Sequence, residues 1–296
     1  MPELTEEEIP RRVTIVEVGP RDGLQTEPAL VPTEMKVAFV EALADAGLPV
    51  VEVTSFVSPS AVPQLADASE VLSRVRRRKG VRYPVLVPNI RGLDRAVAAG
   101  ADAVAVFASA TEAFSQANLR GSIDETFERF APIASRARSD RVWLRGYISV
   151  AFHCPYSGSV LPDAVVAVAH RLLDLGCDEV AIADTIGAAA PGEVDALLDD
   201  LLADVPVDRL ALHFHDTGGM ALANVDAGLH AGIRTFDSSA GGLGGCPFAP
   251  GAPGNLATET LVSHLEHRGI GTGVDTGKVT AAVAALRMAS SHLASA

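Results

Sequence analysis

The chain has 296 residues, of which 48% are hydrophobic and 21% are charged, and its formal net charge is -13. This length is sufficient for one large hydrophobic core, so we predict a single catalytic domain over residues 1–296. The acidic balance argues against nucleic acid and anionic membrane surfaces as general partners, because the long-range field of the protein repels phosphates.

The cysteine pattern and the N-terminal segment indicate the cellular compartment. Cys154, Cys177 and Cys246 are widely separated and odd in number, which predicts neither a disulfide framework nor a zinc knuckle. The first nine residues lack the basic and then apolar pattern of a signal peptide, and no uncharged apolar stretch approaches the roughly 18 residues of a membrane span. We therefore expect a cytoplasmic protein that does not enter a membrane.

Short runs rich in valine, isoleucine and alanine alternate with amphipathic stretches, which predicts βα units and a parallel sheet. The predicted strands lie near residues 13–18, 50–54, 84–88, 103–108, 142–150, 179–183, 209–214 and 234–238. The predicted helices lie near residues 34–46, 67–79, 91–99, 123–139, 163–175, 191–203, 220–231 and 256–268, with one more over 272–295. Eight alternating pairs favour a (β/α)8 TIM barrel with an additional C-terminal helix.

Polar side chains occur where these strands end, which is where a barrel of this kind carries its catalytic groups. The residues at these positions are Arg21 and Asp22 after the first strand, Glu52 in the second, Asp184 after the sixth, and His213 and His215 at the end of the seventh. If the sheet closes as predicted, these side chains converge at one rim.

His213 and His215 are alternate residues of a predicted strand, so both imidazoles lie on the same face. Two neutral nitrogens about 7 Å apart along a stiff backbone can bind one divalent cation when oxygen ligands approach from elsewhere. Asp22 offers such an oxygen. A lone histidine is more often an ordinary core residue, but the pair together with Asp22 favours a metal site.

Five segments of the chain resemble hydroxymethylglutaryl-CoA lyases in order and spacing, from Val13 to about Gly273. These segments are Val18–Gln25 (VGPRDGLQ), Thr54–Pro59 (TSFVSP), Asp184–Gly187 (DTIG), His213–Thr217 (HFHDT) and Gly242–Pro247 (GLGGCP). The wider superfamily of isopropylmalate synthases and related aldolases shares the Arg-Asp and HxH elements. The residues after Asp22 and the cysteine loop favour the lyase branch.

The resemblance implies a ligand set for a divalent cation. The implied ligands are Asp22, His213, His215 and Asn255. Two nitrogens, one carboxylate oxygen and one amide oxygen suit an octahedral Mg²⁺ or Mn²⁺ site, whereas a closed structural zinc site would favour thiolates.

The reaction that the resemblance implies is a reverse Claisen cleavage of 3-hydroxy-3-methylglutaryl-CoA to acetoacetate and acetyl-CoA. Arg21 would meet the thioester oxygen where negative charge develops, and the thiol of Cys246 would protonate the enolate carbon. Glu52, Asp184 and His213 are all candidates for the base that takes the hydroxyl proton, and the sequence does not choose between them. The implied partner is an acyl-CoA substrate, and the resemblance also implies a homodimer.

Two other functions stay open at this point. One is a related lyase or aldolase that acts on another 3-hydroxyacyl-CoA or on a hydroxy-oxo acid. The other is a barrel that has lost turnover and only binds a metal or a ligand. The combination of an arginine, a set of metal ligands and a thiol favours an enzyme, because binding alone needs neither an electrophilic clamp nor a proton donor.

Overall fold

The computed structural model describes residues 9–244 and 254–294, with side chains described as far as residue 288. The strands are β1 Thr14–Glu17, β2 Val50–Val51, β3 Thr54–Ser55, β4 Val85–Leu86, β5 Ala103–Ser109, β6 Trp143–Ser149, β7 His153–Cys154, β8 Gly158–Ser159, β9 Glu179–Asp184, β10 Leu210–Phe214 and β11 Thr235–Ser238. The α-helices are α1 Thr33–Asp45, α2 Ala68–Arg74, α3 Ile90–Ala98, α4 Glu112–Leu119, α5 Ile123–Asp140, α6 Pro162–Leu175, α7 Pro191–Leu201, α8 Ala221–His230, α9 Thr258–His267 and α10 Thr276–Ala294.

Among these described strands, nine form one parallel sheet, in the order β2-β1-β11-β10-β9-β6-β5-β4-β3. The two outermost strands in this order, β2 and β3, belong to one extended segment of residues 50–55. Within that segment the N–H of Glu52 donates to the carbonyl of Glu17 at 2.8 Å, and the N–H of Val53 donates to the carbonyl of Pro84 at 2.9 Å. The sheet therefore curls, and its arrangement is consistent with the predicted barrel.

The central strands are buried on both faces, as expected for a parallel sheet covered by helices. All five residues of β10 are buried, as are six of the seven residues of β5. The helices pack their apolar faces against the sheet, and local signals fix their ends. Ser122 and Glu125 form a capping box at the start of α5, and Gly176 ends α6 in the left-handed conformation.

Each predicted strand of the sheet and each predicted helix has a counterpart in the structure, with one clear error of length. The helix predicted near 67–79 ends at Arg74, because Val75 adopts an extended conformation and stops the helical hydrogen bonding. The basic residues that follow pair with carboxylates of neighbouring elements instead of continuing the helix. These pairs are Arg76 with Glu41, Arg77 with Asp102 and Arg78 with Asp45. The short helix α4 and the hairpin of β7 and β8 were not predicted.

The predicted C-terminal helix is present as α10, and it packs against α1. The chain before α10 approaches the end of α1 closely, since the N–H of Asp275 donates to the carbonyl of Ala46 at 2.8 Å. Gly47 has a φ of +95°, and a Cβ atom at this position would lie 2.4 Å from the carbonyl oxygen of Gly273. Only glycine fits a position that combines this backbone conformation with a backbone contact so close.

Replacing Gly47 by alanine should loosen the docking of this segment. We expect Gly47→Ala to lower the free energy of unfolding by about 2–4 kcal/mol, because left-handed strain and a steric clash add together. Gly80→Ala is the matched control: Gly80 has a φ of +85°, but a Cβ atom added there would have no neighbour within 4 Å. The control should cost only about 1 kcal/mol. Equal losses for the two variants in urea titrations would contradict the role of the close contact.

Candidate active site

The turn after β1 places two charged side chains at the carboxyl end of that strand. The carbonyl of Val18 accepts hydrogen bonds from three successive amides, those of Arg21 at 3.1 Å, Asp22 at 2.7 Å and Gly23 at 3.2 Å. The turn is held tightly against its neighbours, because a Cβ atom on Gly23 would lie 2.8 Å from side-chain atoms of both Ser239 and Leu243. This compact turn fixes where the side chains of Arg21 and Asp22 begin.

Asp22, His213 and His215 come together as the strand pattern predicted. Their potential ligand atoms all lie within 4.8 Å of one another. The centroids of the two imidazole rings are 5.4 Å apart, and both histidines are buried. The carboxyl ends of β1 and β10 therefore meet, and a single divalent cation could contact all three side chains.

Asn255 reaches this cluster because its backbone runs beside the end of β10. It forms an isolated antiparallel bridge with His215, and the N–H of Asp216 donates to the carbonyl of Gly254 at 2.7 Å. The amide nitrogen of Asn255 donates to Oδ2 of Asp22 at 2.9 Å. The side-chain oxygen Oδ1 of Asn255 is thereby left as the group available to a cation.

The charges and the unpaired atoms of this cluster fit a divalent cation. Within residues 9–244 and 254–288, Nδ1 of His215 and Oδ1 of Asn255 are buried and have no hydrogen-bond partner. Burial, with a further contribution from His213, lowers the pKa of His215 to about 4. Its imidazole is therefore neutral at physiological pH and can offer a nitrogen lone pair to a metal ion. Burial alone would raise the pKa of Asp22, but Arg21 and the two imidazoles hold it well below its ordinary value. Carboxylate oxygens, imidazole nitrogens and amide oxygens are ligands that Mg²⁺ and Mn²⁺ accept.

Arg21 lies beside this cluster and is held between two carboxylates. Its Nε donates to Oε2 of Glu52 at 2.7 Å, and its Nη1 pairs with Oδ1 of Asp22. Burial alone would lower the pKa of Arg21, but these two acids, with Tyr147, raise it above its ordinary value. The guanidinium is therefore a permanent positive charge in a fixed orientation.

The two other predicted acids differ in how their oxygens are used. Glu52 is fully buried, and its Oε1 is without a partner in the part of the chain that the structure describes. Burial raises its pKa despite the opposing effect of Arg21. Both oxygens of Asp184 accept hydrogen bonds from the following loop, from the N–H groups of Ala188 at 3.1 Å and Ala189 at 3.0 Å. The side chain of Asp184 thus stabilises the loop that follows its strand.

A buried ionic chain behind the site was not predicted from the sequence. Arg145 is completely buried and donates to Asp237, Glu179 and Tyr147, while Asp237 also contacts Nδ1 of His213. The available signal was a charged residue inside an otherwise apolar strand, as in Leu144-Arg145-Gly146 and Phe236-Asp237-Ser238. A charge in such a position is retained only when it is paired.

Glu17, also not predicted, connects the turn after β1 to the segment after β11. Its Oε1 accepts from the N–H groups of Gly19 and Ala240, each at 2.8 Å, and its Oε2 accepts from the hydroxyl of Thr258 at 2.6 Å. Burial raises the pKa of Glu17 to about 7. This side chain thus braces the turn that carries Arg21 and Asp22.

Cys246, the predicted proton donor, lies outside the described residues.

The described part of the chain contains no helix that combines the length and the apolar character needed to cross a bilayer.

A parallel α/β fold that carries a fixed arginine and a candidate metal centre at its strand ends is typical of an enzyme, and this protein belongs to that class. The match to known families then gives the type of enzyme. Residues 12–286 match the HMGL-like family, and the chain belongs to this family.

Similar proteins of known activity are carbon–carbon lyases. The chain is 50% identical to the cytoplasmic 3-hydroxy-3-methylglutaryl-CoA lyase of Rattus norvegicus, over 92% of this chain and 79% of that protein. It is 51% identical to the mitochondrial hydroxymethylglutaryl-CoA lyase of the same organism, over 92% of this chain and 83% of that protein. The crystal structure of hydroxymethylglutaryl-CoA lyase from Pseudomonas aeruginosa aligns with a TM-score of 0.92 and 46% identity, over 98% of this chain and 100% of that chain.

The raised pKa of Glu17 predicts a measurable pH dependence. Because the folded pKa of about 7 lies above the ordinary value of 4.5, the folded state binds this proton more tightly. The resulting stability is fully present below pH 4.5 and is lost as the pH rises through about 7. Glutamine mimics the protonated side chain, so Glu17→Gln should gain up to about 3 kcal/mol relative to the wild type between these limits. Urea unfolding of both proteins at several pH values tests this, and a difference that does not change with pH would contradict it.

Proposed function

We propose that this protein cleaves 3-hydroxy-3-methylglutaryl-CoA into acetoacetate and acetyl-CoA. The observation that carries the proposal is the position of Arg21 beside the Asp22, His213 and His215 cluster, in a chain about half identical to lyases of that name over most of its length. In the reaction the C3 hydroxyl loses its proton, the bond between C2 and C3 breaks, and its electron pair becomes the enolate of the acetyl thioester. That enolate then takes a proton at carbon.

We propose that Asp22, His213, His215 and Asn255 hold a divalent cation, Mg²⁺ or Mn²⁺. The unpaired, buried Oδ1 of Asn255 and Nδ1 of His215 support this set. When bound, such a cation lowers the pKa of a coordinated hydroxyl and orients the oxygens of the substrate. The protein contributes the geometry, because the turn after β1 and the end of β10 bring these donors together.

Arg21 is proposed to stabilise the negative charge that develops on the thioester oxygen. Its guanidinium is already oriented by Glu52 and Asp22, so little reorganisation accompanies the reaction. Glu52, with one unpaired oxygen and a raised pKa, is the better-placed candidate for the base. His213 is less available, because its Nδ1 contacts Asp237 and its other nitrogen is proposed to bind the cation. Asp184 is less available, because both of its oxygens already accept from loop amides. Cys246 remains the proposed donor of the final proton.

The finer features of the fold and assembly are also proposals. We infer that the sheet closes as an eight-stranded (β/α)8 barrel, with β2 and β3 as one strand that bonds to β1 on one side and to β4 on the other. We also propose that the whole chain forms one catalytic domain. The protein would act in the cytoplasm as a homodimer, and its substrate would be an acyl-CoA.

Removal of the metal should abolish turnover reversibly. We expect dialysis against a chelator to eliminate acetyl-CoA release from 3-hydroxy-3-methylglutaryl-CoA, and Mg²⁺ or Mn²⁺ to restore it, because the proposed cation lowers the pKa of the hydroxyl that must lose its proton. A parallel assay with other 3-hydroxyacyl-CoA esters and with hydroxy-oxo acids identifies the substrate. Full activity after complete removal of divalent ions would contradict the proposed metal centre, and faster turnover of another ester would contradict the proposed substrate.

Arg21→Lys should lose rate far more than affinity. Lysine keeps the charge but cannot reproduce the fork that contacts Glu52 and Asp22, and loss of one such donor costs roughly 3–4 kcal/mol of transition-state stabilisation. We expect kcat to fall at least about 100-fold, with KM changed only a few-fold. Arg74→Lys, at an ion pair on the surface, is the control and should retain activity. Wild-type turnover by Arg21→Lys would refute the assignment.

A further inference from the structure

Asp237 is a buried carboxylate that connects an arginine to one of the proposed metal ligands. It lies on β11 next to β10, in register with His213, and its side chain is fully buried. Its Oδ2 is 3.2 Å from Nδ1 of His213 and also accepts from Nη1 of Arg145 at 3.0 Å. Its Oδ1 accepts from Nη2 of Arg145 at 2.7 Å. The arginine thus contacts both oxygens of the carboxylate.

The contacts of Asp237 determine which nitrogen of a neutral His213 ring carries its one proton. Both oxygens of Asp237 accept hydrogen bonds from the guanidinium of Arg145, at 3.0 Å and 2.7 Å, and in such a bidentate ion pair the side chain is a carboxylate. A carboxylate only accepts hydrogen bonds, which means that Nδ1 of His213 must donate. Nε2 of the same ring is then left with a free lone pair. A metal ion requires such a lone pair, and only this tautomer presents it at Nε2.

We infer that Asp237, clamped by Arg145, is a positioning residue that fixes the tautomer and the orientation of His213 for the divalent cation. This inference rests on the metal centre proposed above. It concerns affinity for the ion itself and does not require Asp237 to touch the substrate.

The surrounding contacts support orientation of the ring as well as selection of the tautomer. Tyr147 stands edge-on to His213, with ring centroids 6.4 Å apart and planes at 89°. Its hydroxyl accepts from Nη1 of Arg145 at 2.7 Å, so the same guanidinium positions both neighbours of the imidazole. The ring is therefore held from its edge by Asp237 and from one side by Tyr147.

Arg145 has a second carboxylate partner that provides a matched control. Its Nε donates to Oε1 of Glu179 at 2.8 Å, and the Glu179 side chain is 15% exposed. No contact between Glu179 and His213 occurs among the described residues. Glu179→Gln therefore weakens an ion pair of the same arginine without changing the group that faces the imidazole.

The test is Mn²⁺ affinity without substrate. The full-length wild type, Asp237→Asn and Glu179→Gln are freed of metal with a chelator and titrated with Mn²⁺, with free Mn²⁺ measured by electron paramagnetic resonance. The amide of Asp237→Asn cannot accept at both positions, so its NH2 group faces either a donor of Arg145 or Nδ1 of His213. We expect this variant to bind Mn²⁺ about 10- to 100-fold more weakly, and Glu179→Gln to remain within about two-fold of the wild type.

The outcomes separate the inference from the proposed function. Equal Mn²⁺ affinity in Asp237→Asn and the wild type, or an equal loss in both variants with equal falls in thermal stability of the metal-free proteins, would overturn the positioning role. A wild type that binds no Mn²⁺ would overturn the metal centre itself. If Asp237→Asn does not fold, Arg145→Lys decides: it retains the charge but loses the double hydrogen bond, and unchanged Mn²⁺ affinity in this variant would overturn the inference.

Discussion

The compensation of buried positive charge organises this molecule. Arg145 is fully buried and Arg21 is only 8% exposed, and each lies where water cannot solvate a guanidinium. Burial of an unpaired charge is so unfavourable that each arginine requires carboxylates at fixed distances, and removing one partner of such a pair typically costs about 3–5 kcal/mol. Glu52 and Asp22 form ion pairs with Arg21, and Asp237 and Glu179 form ion pairs with Arg145. These ion pairs thus connect the turn after β1, the segment of residues 50–55, and the strands β6, β9 and β11.

Burial and the ion pairs around Arg21 also shift the pKa values of the neighbouring site residues in different directions. Arg21 holds Asp22 in its anionic form, which keeps an oxygen ligand available for a cation. Burial keeps His215 neutral at physiological pH, which keeps a nitrogen ligand available as well. Glu52 experiences the opposite balance, since burial outweighs the effect of Arg21 and raises its pKa. Two carboxyl groups that contact the same guanidinium therefore have pKa values shifted in opposite directions.

Sequence reasoning was most successful where a periodic pattern coincided with a chemical requirement. Alternation along β10 and the residue after it placed His213 and His215 on one face, and the apolar run before Arg21 placed Asp22 at a strand end. The cluster could therefore be predicted before the fold was known. The position of Asn255 beside β10 depends on a backbone pairing between distant segments, and only the resemblance to a family suggested it.

The sequence also does not show which residues pair with the buried charges. A single acidic or basic residue inside a hydrophobic strand, such as Arg145 or Asp237, shows that a partner must exist but does not say which residue it is. The pairing depends on strand order, because β6 and β11 are not neighbours in the sheet and meet only across its interior. The helix end near Arg74 was wrong for a similar reason: the ion pairs formed by the following arginines involve distant carboxylates, which no local pattern reveals.

The carbonyl of Val18, which accepts three amide hydrogen bonds at once, has an evolutionary consequence. Because three amides of this helical turn bond to one oxygen, a residue inserted or deleted between 19 and 22 would rotate the arginine and the aspartate away from their present directions. We therefore expect the number of residues in this turn to be invariant among active homologues even where their side chains drift. Changes of length should accumulate instead at solvent-facing connections such as residues 155–157, the exposed turn between β7 and β8.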